Sequence, residues 1–409
     1  MRTPPRSSGN LPPYLMTSDP ASFARKTIIE RKAQIIARVM ADHDYSGEIV
    51  DKLTMFRDEI LHPDHGSSII QPLSETGDDA AFWNAALAAY EGHSWLEVPW
   101  YFAETYFYRR LLEATGYFIP PTGGRDPFAP QKRAQEASAV RQLAAIWPGI
   151  AAVAGDAGFL SLLHACLWGN RADLSNFTID QQAVGDTVAD RANILIDHTD
   201  AARSLLADGI DEVAFVNDNV GADSLFDLVL ADYLLTQGWV QHVTFHLKNR
   251  PFFVSDAMPQ DIERMIDLLL APPAEAGASA DAGASVAELG SRLSEALAER
   301  RLTLTTHPFW TQCLGFRDMP DAVRAPLQRA DLVILKGDVN YRRLLDDRHW
   351  PPSTPLAIAA ADFPRPFLVL RTLKGEIIAG LKPGQAECLA AEDPTWLING
   401  LRGLIQLEM

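Results

Sequence analysis

An aspartate and an asparagine stand side by side where a short apolar run ends. Residues 213–216 lead through one further residue to Asp218 and Asn219, and Gly221 precedes a long apolar segment. A carboxylate beside a carboxamide offers hard oxygen ligands that suit Mg²⁺ or Mn²⁺. Gly221 lets the chain turn tightly into a helix whose free N–H groups attract an anion. The same residues also fit a helix N-cap, so the segment taken alone leaves both interpretations open.

A second carboxylate, Asp256, follows the next β-rich run after a short polar segment. If the two strands are neighbours in a parallel sheet, their carboxyl ends lie at the same edge, and Asp218 and Asp256 can face one ion. An apolar helical segment follows Asp256 as well, so helix capping is again the alternative.

Cations follow two later strands of this otherwise acidic chain. Lys336 stands before Gly337 and a polar helix start, and Arg371 and Lys374 follow the last of these β-rich runs. A lysine at a strand end can hold a phosphoryl group as a point charge. A glycine followed by an aspartate is also common turn chemistry, which is the alternative for the first of these segments. Together, the strand ends predict a site for a divalent metal and a phosphate.

The elements that must position these residues alternate in type from about residue 213. Short apolar strands alternate with helical segments, which indicates a three-layer α/β/α sandwich with a mainly parallel central sheet. Residues 21–190 carry mainly helical patterns and predict an N-terminal helical subdomain, before an α/β/α metal-binding domain over 191–409. We expect residues 1–20 to be a disordered tail, and the Ala- and Gly-rich insertion 272–291 to be a flexible loop.

The overall composition argues against several classes of protein. The 409 residues are 47% hydrophobic, and 36 basic against 53 acidic side chains give a net charge of −17. A nucleic-acid partner normally requires a basic face, so none is expected. No apolar run approaches the roughly 20 residues of a membrane span, and the first residues lack the apolar core of a secretory signal. Three distant cysteines favour a reducing compartment, so we expect a cytoplasmic protein without a membrane partner. The oligomeric state is not predicted.

Several familiar catalytic motifs are missing from the sequence. There is no GxxxxGK[ST] loop, no GxGxxG turn after a strand, no GxSxG elbow and no HExxH pair, and the cysteines lack zinc-type spacing. One further residue is unusual, because Glu104 lies within an aromatic segment. An unpaired carboxylate is costly among aromatic side chains, so Glu104 must either have a partner or be exposed.

Seven motifs, in this order along the chain, resemble the metal-dependent damage-control phosphatases, also called domain-of-unknown-function family 89. They are AETYFYRR, LWGNRADLS, NDNVGADSLFDL, FVSDA, HPFWT, LKGDVNYRRL and RTLK. The last is similar to the RTxK signature of the branch that contains the acidic-residue methyltransferase 1-like proteins. The resemblance covers most of the chain after about residue 30.

This resemblance implies one divalent metal and hydrolysis of small sugar phosphates such as fructose 1-phosphate or fructose 6-phosphate. Co²⁺ or Ni²⁺ are alternatives to Mg²⁺ and Mn²⁺. By motif, the metal ligands would be Asp218, Asn219 and Asp256, with Asp218 and Lys336 as the catalytic pair and Lys336 holding the phosphate. The residues that would line the substrate site are Glu104, Asn170, Asp173, Arg371 and Lys374.

The sequence also departs from the family pattern. Asp223 stands where the family usually has glutamate, and the segment after HPFWT lacks an expected tryptophan, with Phe316 nearby. These differences bear on substrate contacts more than on the metal site.

Two other functions stay open at this point. One is an S-adenosylmethionine-dependent protein carboxyl methyltransferase, although the chain lacks a glycine-rich first turn. The other is a non-catalytic sugar-phosphate-binding protein, although both candidate aspartates are present. For the hydrolase, the sequence does not choose between a metal-bound water and a carboxylate near Asp218 as nucleophile.

Overall fold

A seven-stranded sheet forms the centre of the protein. The computed structural model describes residues 11–61, 69–75, 77–119, 123–151, 155–169, 191–272 and 280–409. The strands are β1 (Ile194–Asp197), β2 (Ile210–Val216), β3 (Val240–Leu247), β4 (Leu302–Thr306), β5 (Leu332–Lys336), β6 (Phe367–Thr372) and β7 (Gly403–Glu408). Their order is β1-β7-β6-β5-β2-β3-β4. Strands β2 to β6 are parallel, whereas β7 is antiparallel to β6 and parallel to β1.

The order of the strands reverses between β2 and β5, which pair directly with each other. Chain connections leave these two strands in opposite directions, so a crevice opens beyond their carboxyl ends, where open α/β sheets bind ligands. The predicted residues Asp218 and Lys336 lie at this point.

Helices cover both faces of the sheet. Val213 and Phe215 of β2 pack into one apolar core, and the alternating Ala214 and Val216 pack into the other. The first core includes the helices Ala129–Ala151, Gly155–Trp168, Thr199–Ala207, Ala222–Thr236, Pro259–Leu270 and Ala280–Ala298. Toward the second core lie Asp321–Arg329, Gly337–Leu344, Leu356–Ala359 and Gln385–Glu392. The structure therefore confirms the three-layer sandwich.

The N-terminal helices form a third apolar core of their own. Their bounds are Phe23–Lys26, Lys32–Asp42, Gly47–Leu61, Ala80–Leu87 and Trp100–Ala114, and a π-helical turn, Thr27–Arg31, joins the first two. The aromatic helix Trp100–Ala114 ends where Gly116 adopts a φ of +70°, as the glycine predicts. Within the described residues, no helix combines the length and apolar character needed to cross a membrane.

The structure differs from the sequence-based boundaries in three places. The helices Ala129–Ala151 and Gly155–Trp168 pack on the sheet rather than in the N-terminal core. The N-terminal segment contributes to that core only as far as Phe128, rather than to about residue 190, and Phe252 and Phe253 complete it. Both helices share an apolar core with the helix Ala222–Thr236. Local periodicity predicts that a segment is helical, but it does not show which distant helix it packs against. Strands β1 and β7 were also missed.

The other two differences concern segments expected to be irregular. The loop predicted for 272–291 is wrong for its second part, because a helix begins at Ala280 and buries Val286 and Leu289 against the sheet layer. The disordered tail is wrong for residues 11–20, since Leu15 is buried and pairs through its backbone with Asp347 and Trp100. Residues 1–10 and 273–279 lie outside the described ranges.

Candidate active site

The turn after β2 is joined directly to the segment that carries Asp256. The backbone N–H of Ala257 donates to the carbonyl of Asp218 (2.9 Å), and Val220 N–H donates to the carbonyl of Ser255 (2.7 Å). Asn219 and Asp256 thereby form an isolated antiparallel bridge. The structure brings Asp218, Asn219 and Asp256 to one wall of a cleft, although Asp256 is 38 residues further along the sequence than Asp218.

The carboxylates at this wall crowd one another in a buried place. Burial raises the pKa of Asp218 well above its usual value, and the neighbouring charges of Asp256 and Asp223 raise it further. Burial also raises the pKa of Asp256, against the opposing effect of Lys248, whose Nζ lies 3.1 Å from the Oδ2 of Asp256. A carboxylate cluster of this kind needs a compensating positive charge.

Asn219 presents its amide nitrogen to the carboxylates in this structure. Its Nδ2 donates to the Oδ2 atoms of Asp218 (2.8 Å) and Asp223 (3.0 Å), and its Oδ1 accepts from Ser255 Oγ (2.6 Å). The oxygen predicted to be a ligand therefore faces away from the two aspartates. Turning the amide over would place Oδ1 beside them and leave Nδ2 next to Ser255 Oγ, which can accept as well as donate.

The donor set fits a hard divalent cation. Both carboxylate oxygens of Asp256 are buried and lack a hydrogen bond of good geometry, which is unusual for a charged group. Carboxylate oxygens and an amide oxygen are the ligands that Mg²⁺ and Mn²⁺ prefer. Across the described ranges, no group of three or more His, Cys, Asp and Glu side chains is arranged to hold a metal, so the fit depends on two aspartates and Asn219.

Lys336 lies at the base of the cleft, where it is almost completely buried. Its Nζ lies 2.9 Å from Asp227 Oδ1 and donates to the backbone carbonyl of Cys166, while Asn217 Nδ2 donates to Asp227 Oδ2 (3.0 Å). Burial works against the charge of Lys336, but Asp227, Cys166 and Asp223 together outweigh this and raise the pKa of the lysine above its usual value. The ammonium group is thus favoured and firmly held, with one carboxylate already beside it.

Gly337 allows Asp218 to approach the start of the next helix. Its φ is +82°, and a Cβ at this position would lie 1.9 Å from Asp218 Oδ2. We expect Gly337→Ala to destabilise the protein by about 1–3 kcal/mol through the backbone conformation and to displace Asp218 besides. Gly384→Ala is the matched control, because Gly384 has a φ of +79° and a Cβ added there would meet nothing within 4 Å.

The two glycine variants distinguish the effect of backbone strain on stability from the effect of a displaced Asp218 on activity. Urea unfolding should show a loss of stability in both, and kcat/KM for a phosphate ester should fall at least about tenfold in Gly337→Ala alone. Equal activities in the two variants would show that the Asp218 position does not matter for turnover.

Arg371 is not at the cleft surface, contrary to the prediction that it lines the substrate site. It is fully buried, its Nη2 lies 2.7 Å from Asp338 Oδ1, and its Nη1 donates to the carbonyl of Ile377 (2.7 Å). Asp338 Oδ1 also accepts from the backbone N–H of Lys374 (3.2 Å). Arg371 therefore fixes the segment from which the Lys374 side chain reaches the cleft lining.

Glu104 is buried in the cleft wall, with 3% of its surface exposed, and has the partner that its aromatic surroundings require. Lys32 Nζ donates to Glu104 Oε1, and Tyr108 Oη lies 3.5 Å from the same oxygen. Oε2 is buried without a hydrogen bond. The other two predicted substrate residues, Asn170 and Asp173, lie outside the described residues.

The cleft as a whole encloses about 200 Å³ between the sheet edge and the N-terminal helices. Sequence reasoning missed several polar residues that line it. Among them are Thr27, Arg31, Asp338 and Arg342. Asp338 and Arg342 lie in the KGDVNYR segment and could have been found by asking what else the strand end after β5 presents. Nothing in the sequence marked Thr27 and Arg31 as site residues. An amphipathic pattern identifies the buried face of a helix, but it does not show which of its polar residues lie near a distant cleft.

The chain is similar to known proteins in sequence and in fold. Residues 23–389 match the profile of the damage-control phosphatase ARMT1-like domain. The damage-control phosphatase ARMT1 of Mus musculus is 30% identical over 453 residues, covering 97% of this chain and 98% of the relative. That of Rattus norvegicus is 31% identical, with 97% and 98% covered. A crystal structure of a DUF89 family protein from Pyrococcus horikoshii has a TM-score of 0.50 at 14% identity and covers 94% of this chain and 98% of that one, a likeness of fold.

Proposed function

The chain belongs to the damage-control phosphatase ARMT1-like domain family, and we propose that it hydrolyses small sugar phosphates, resembling fructose 1-phosphate or fructose 6-phosphate, with a divalent metal. Mg²⁺ or Mn²⁺ is the proposed ion, with Co²⁺ or Ni²⁺ as alternatives. The partner is a small phosphorylated metabolite.

One observation carries this proposal. Two aspartates and an asparagine from separate segments meet at the carboxyl ends of the central strands, in a cleft that also contains Lys336 and Lys374. Buried carboxylates that repel one another are costly unless a cation joins them. A phosphate monoester brings negative charge to the same place, so ligand oxygens for a metal and fixed lysines for a phosphoryl group belong together in one reaction.

Asp218, Asp256 and the turned-over amide of Asn219 would hold the ion, which when bound would offset the charge of a phosphoryl group. Lys336 supplies a fixed positive charge at the base of the cleft, and Lys374 supplies one at its side. The helix Ala222–Thr236 begins beside Asn219, and its N-terminal dipole adds favourable potential for the equatorial oxygens. Glu104 Oε2, which has no hydrogen bond within the protein, would accept one from a sugar hydroxyl.

Phosphate release from a panel of sugar phosphates tests the proposal. We expect turnover of fructose 1-phosphate or fructose 6-phosphate with Mg²⁺ or Mn²⁺, and a fall to background after chelation, with recovery on adding the ion back. Metal at about 100 times its Kd should also raise the free energy of unfolding by about 2.7 kcal/mol, because only the folded protein assembles the site.

The stability measurement makes this result independent of the choice of substrate. Metal-independent turnover, or metal that leaves the unfolding curve unchanged, would contradict the metal assignment. Formation of methyl esters in the same assay with added S-adenosylmethionine would instead support the methyltransferase.

A further inference from the structure

Most cations around the cleft already have a carboxylate partner. The pairs are Lys336 with Asp227 (2.9 Å), Arg342 with Asp347 (2.8 Å), Arg371 with Asp338 (2.7 Å), Lys248 with Asp256 (3.1 Å) and Lys32 with Glu104. In the part of the chain that the structure describes, the cleft-lining residues Arg31 and Lys374 have no carboxylate within ion-pair distance. Their charges are therefore available to a ligand.

The two available cations come from different elements of the cleft lining. Lys374 follows the strand Phe367–Thr372 and lines the cleft with Asp218, and its charge opposes the rise that burial causes in the pKa of Asp218. Arg31 ends the π-helical turn beside Lys32, the residue that pairs with Glu104. Arg31 and Glu104 line the same cleft, and Glu104 Oε2 has no hydrogen bond.

A π-helical turn directs Arg31 into the cleft. Phe23, Thr27 and Arg31 all line it and are spaced four residues apart, and the π-helical turn spans Thr27–Arg31. In an α-helix, four residues overshoot one full rotation by about 40°, so such a row drifts around the helix. The wider π turn takes more residues per rotation and offsets this drift. The helix is fixed at its start, where the N–H groups of Phe23 and Ala24 donate to Glu376.

We propose that Arg31 is a specificity residue that, together with Glu104, binds the hydroxyl-bearing end of the sugar remote from the scissile phosphoryl group. This inference rests on the proposed function. Arg31 would donate N–H groups to sugar oxygens while Glu104 Oε2 accepts from a hydroxyl, and the paired Lys32 keeps Glu104 from adding a net negative charge at this end. Lys374 and the carboxylate wall serve the phosphoryl end, which every phosphate ester shares.

Two phosphate monoesters, one with sugar hydroxyls and one without, test this division. We expect Arg31→Gln to raise KM for fructose 1-phosphate about tenfold to a hundredfold, the worth of a hydrogen bond to a charged group. Its kcat should change little, and KM for p-nitrophenyl phosphate, which has no sugar hydroxyls, should change less than about twofold. Lys26→Gln is the matched control, because Lys26 is an exposed cation on the same helical stretch and is not in the cleft lining.

The outcomes separate this inference from the proposed function. An unchanged KM for fructose 1-phosphate, or equal losses on both substrates, would overturn the role of Arg31 while leaving the phosphatase intact. Failure of the parent protein to hydrolyse either substrate would count against the proposed function instead. Calorimetric binding of fructose 1-phosphate to the parent and to Arg31→Gln would then still report on Arg31, with equal affinities contradicting the proposal.

Discussion

Replacing Asp218 with asparagine is expected to lower kcat/KM for a sugar phosphate by at least about a thousandfold while the protein stays folded. The substitution keeps the shape of the side chain but removes a carboxylate that the proposed site uses for its ion. Phosphate release in the presence of saturating Mn²⁺ measures the loss.

The same substitution has an opposite expected effect on stability without metal. Burial and the charges of Asp256 and Asp223 raise the pKa of Asp218, so its charged form destabilises the folded protein at neutral pH. Asp218→Asn should therefore raise Tm in chelator and reduce the rise in Tm that Mn²⁺ produces in the parent. A structural role for Asp218 would give a lower Tm under both conditions.

Asp232→Asn is the matched control for this experiment. Asp232 is another largely buried aspartate, on the helix Ala222–Thr236, where it pairs with Arg292 at 2.7 Å outside the cleft lining. Its replacement should cost stability without a specific loss of turnover. If Asp218→Asn hydrolyses sugar phosphates as the parent does, the proposed metal site is wrong.

The sequence predicted the sandwich well because apolar-rich strands alternate with helical segments. The apolar run 332–335 is typical of a strand buried on both faces, and the structure confirms this for β5. Strand β1 was missed because it has only four residues, and β7 because it runs against its neighbour and follows no helix–strand alternation. The helix at Ala280 was missed because alanine and glycine in a low-complexity run hide the spacing of Val286 and Leu289.

The sequence could predict those residues of the candidate site that stand at the ends of strands. Asp218, Asp256 and Lys336 follow strands that the alternation places at one sheet edge, so their convergence follows from topology. The partners of these residues were not predictable. Asp227 is an acidic residue within a mainly apolar helix, and nothing in the sequence marks it as the partner of Lys336. Arg371 looks like a ligand-binding cation in the sequence, yet it is buried against Asp338. Whether a cation binds a ligand or a carboxylate of the protein depends on which side chains lie near it. Those neighbours are set by the packing of elements that are distant in the sequence.

Lys336→Met is expected to be the most destabilising of the substitutions considered, because it leaves Asp227 buried without its cation. Both side chains are about 1% exposed, and the ion pair spans 2.9 Å. Removing one partner of a buried pair typically costs about 3–5 kcal/mol, and the loss should appear in urea unfolding of the chelated protein. Activity alone cannot therefore assign a role to Lys336, since a poorly folded variant is inactive for any reason.

The double variant Lys336→Met/Asp227→Asn resolves this ambiguity. Without the Asp227 charge, an apolar side chain at 336 no longer faces an unpaired carboxylate, and Asn217 can still hydrogen-bond to the new amide. The double variant should therefore regain much of the lost stability, whereas kcat/KM should stay about a hundredfold to a thousandfold below the parent, because the fixed charge for the phosphoryl group is absent. Recovery of both stability and turnover would show that Lys336 only neutralises Asp227, and the phosphate would then have to be held by Lys374 and the helix that starts at Ala222.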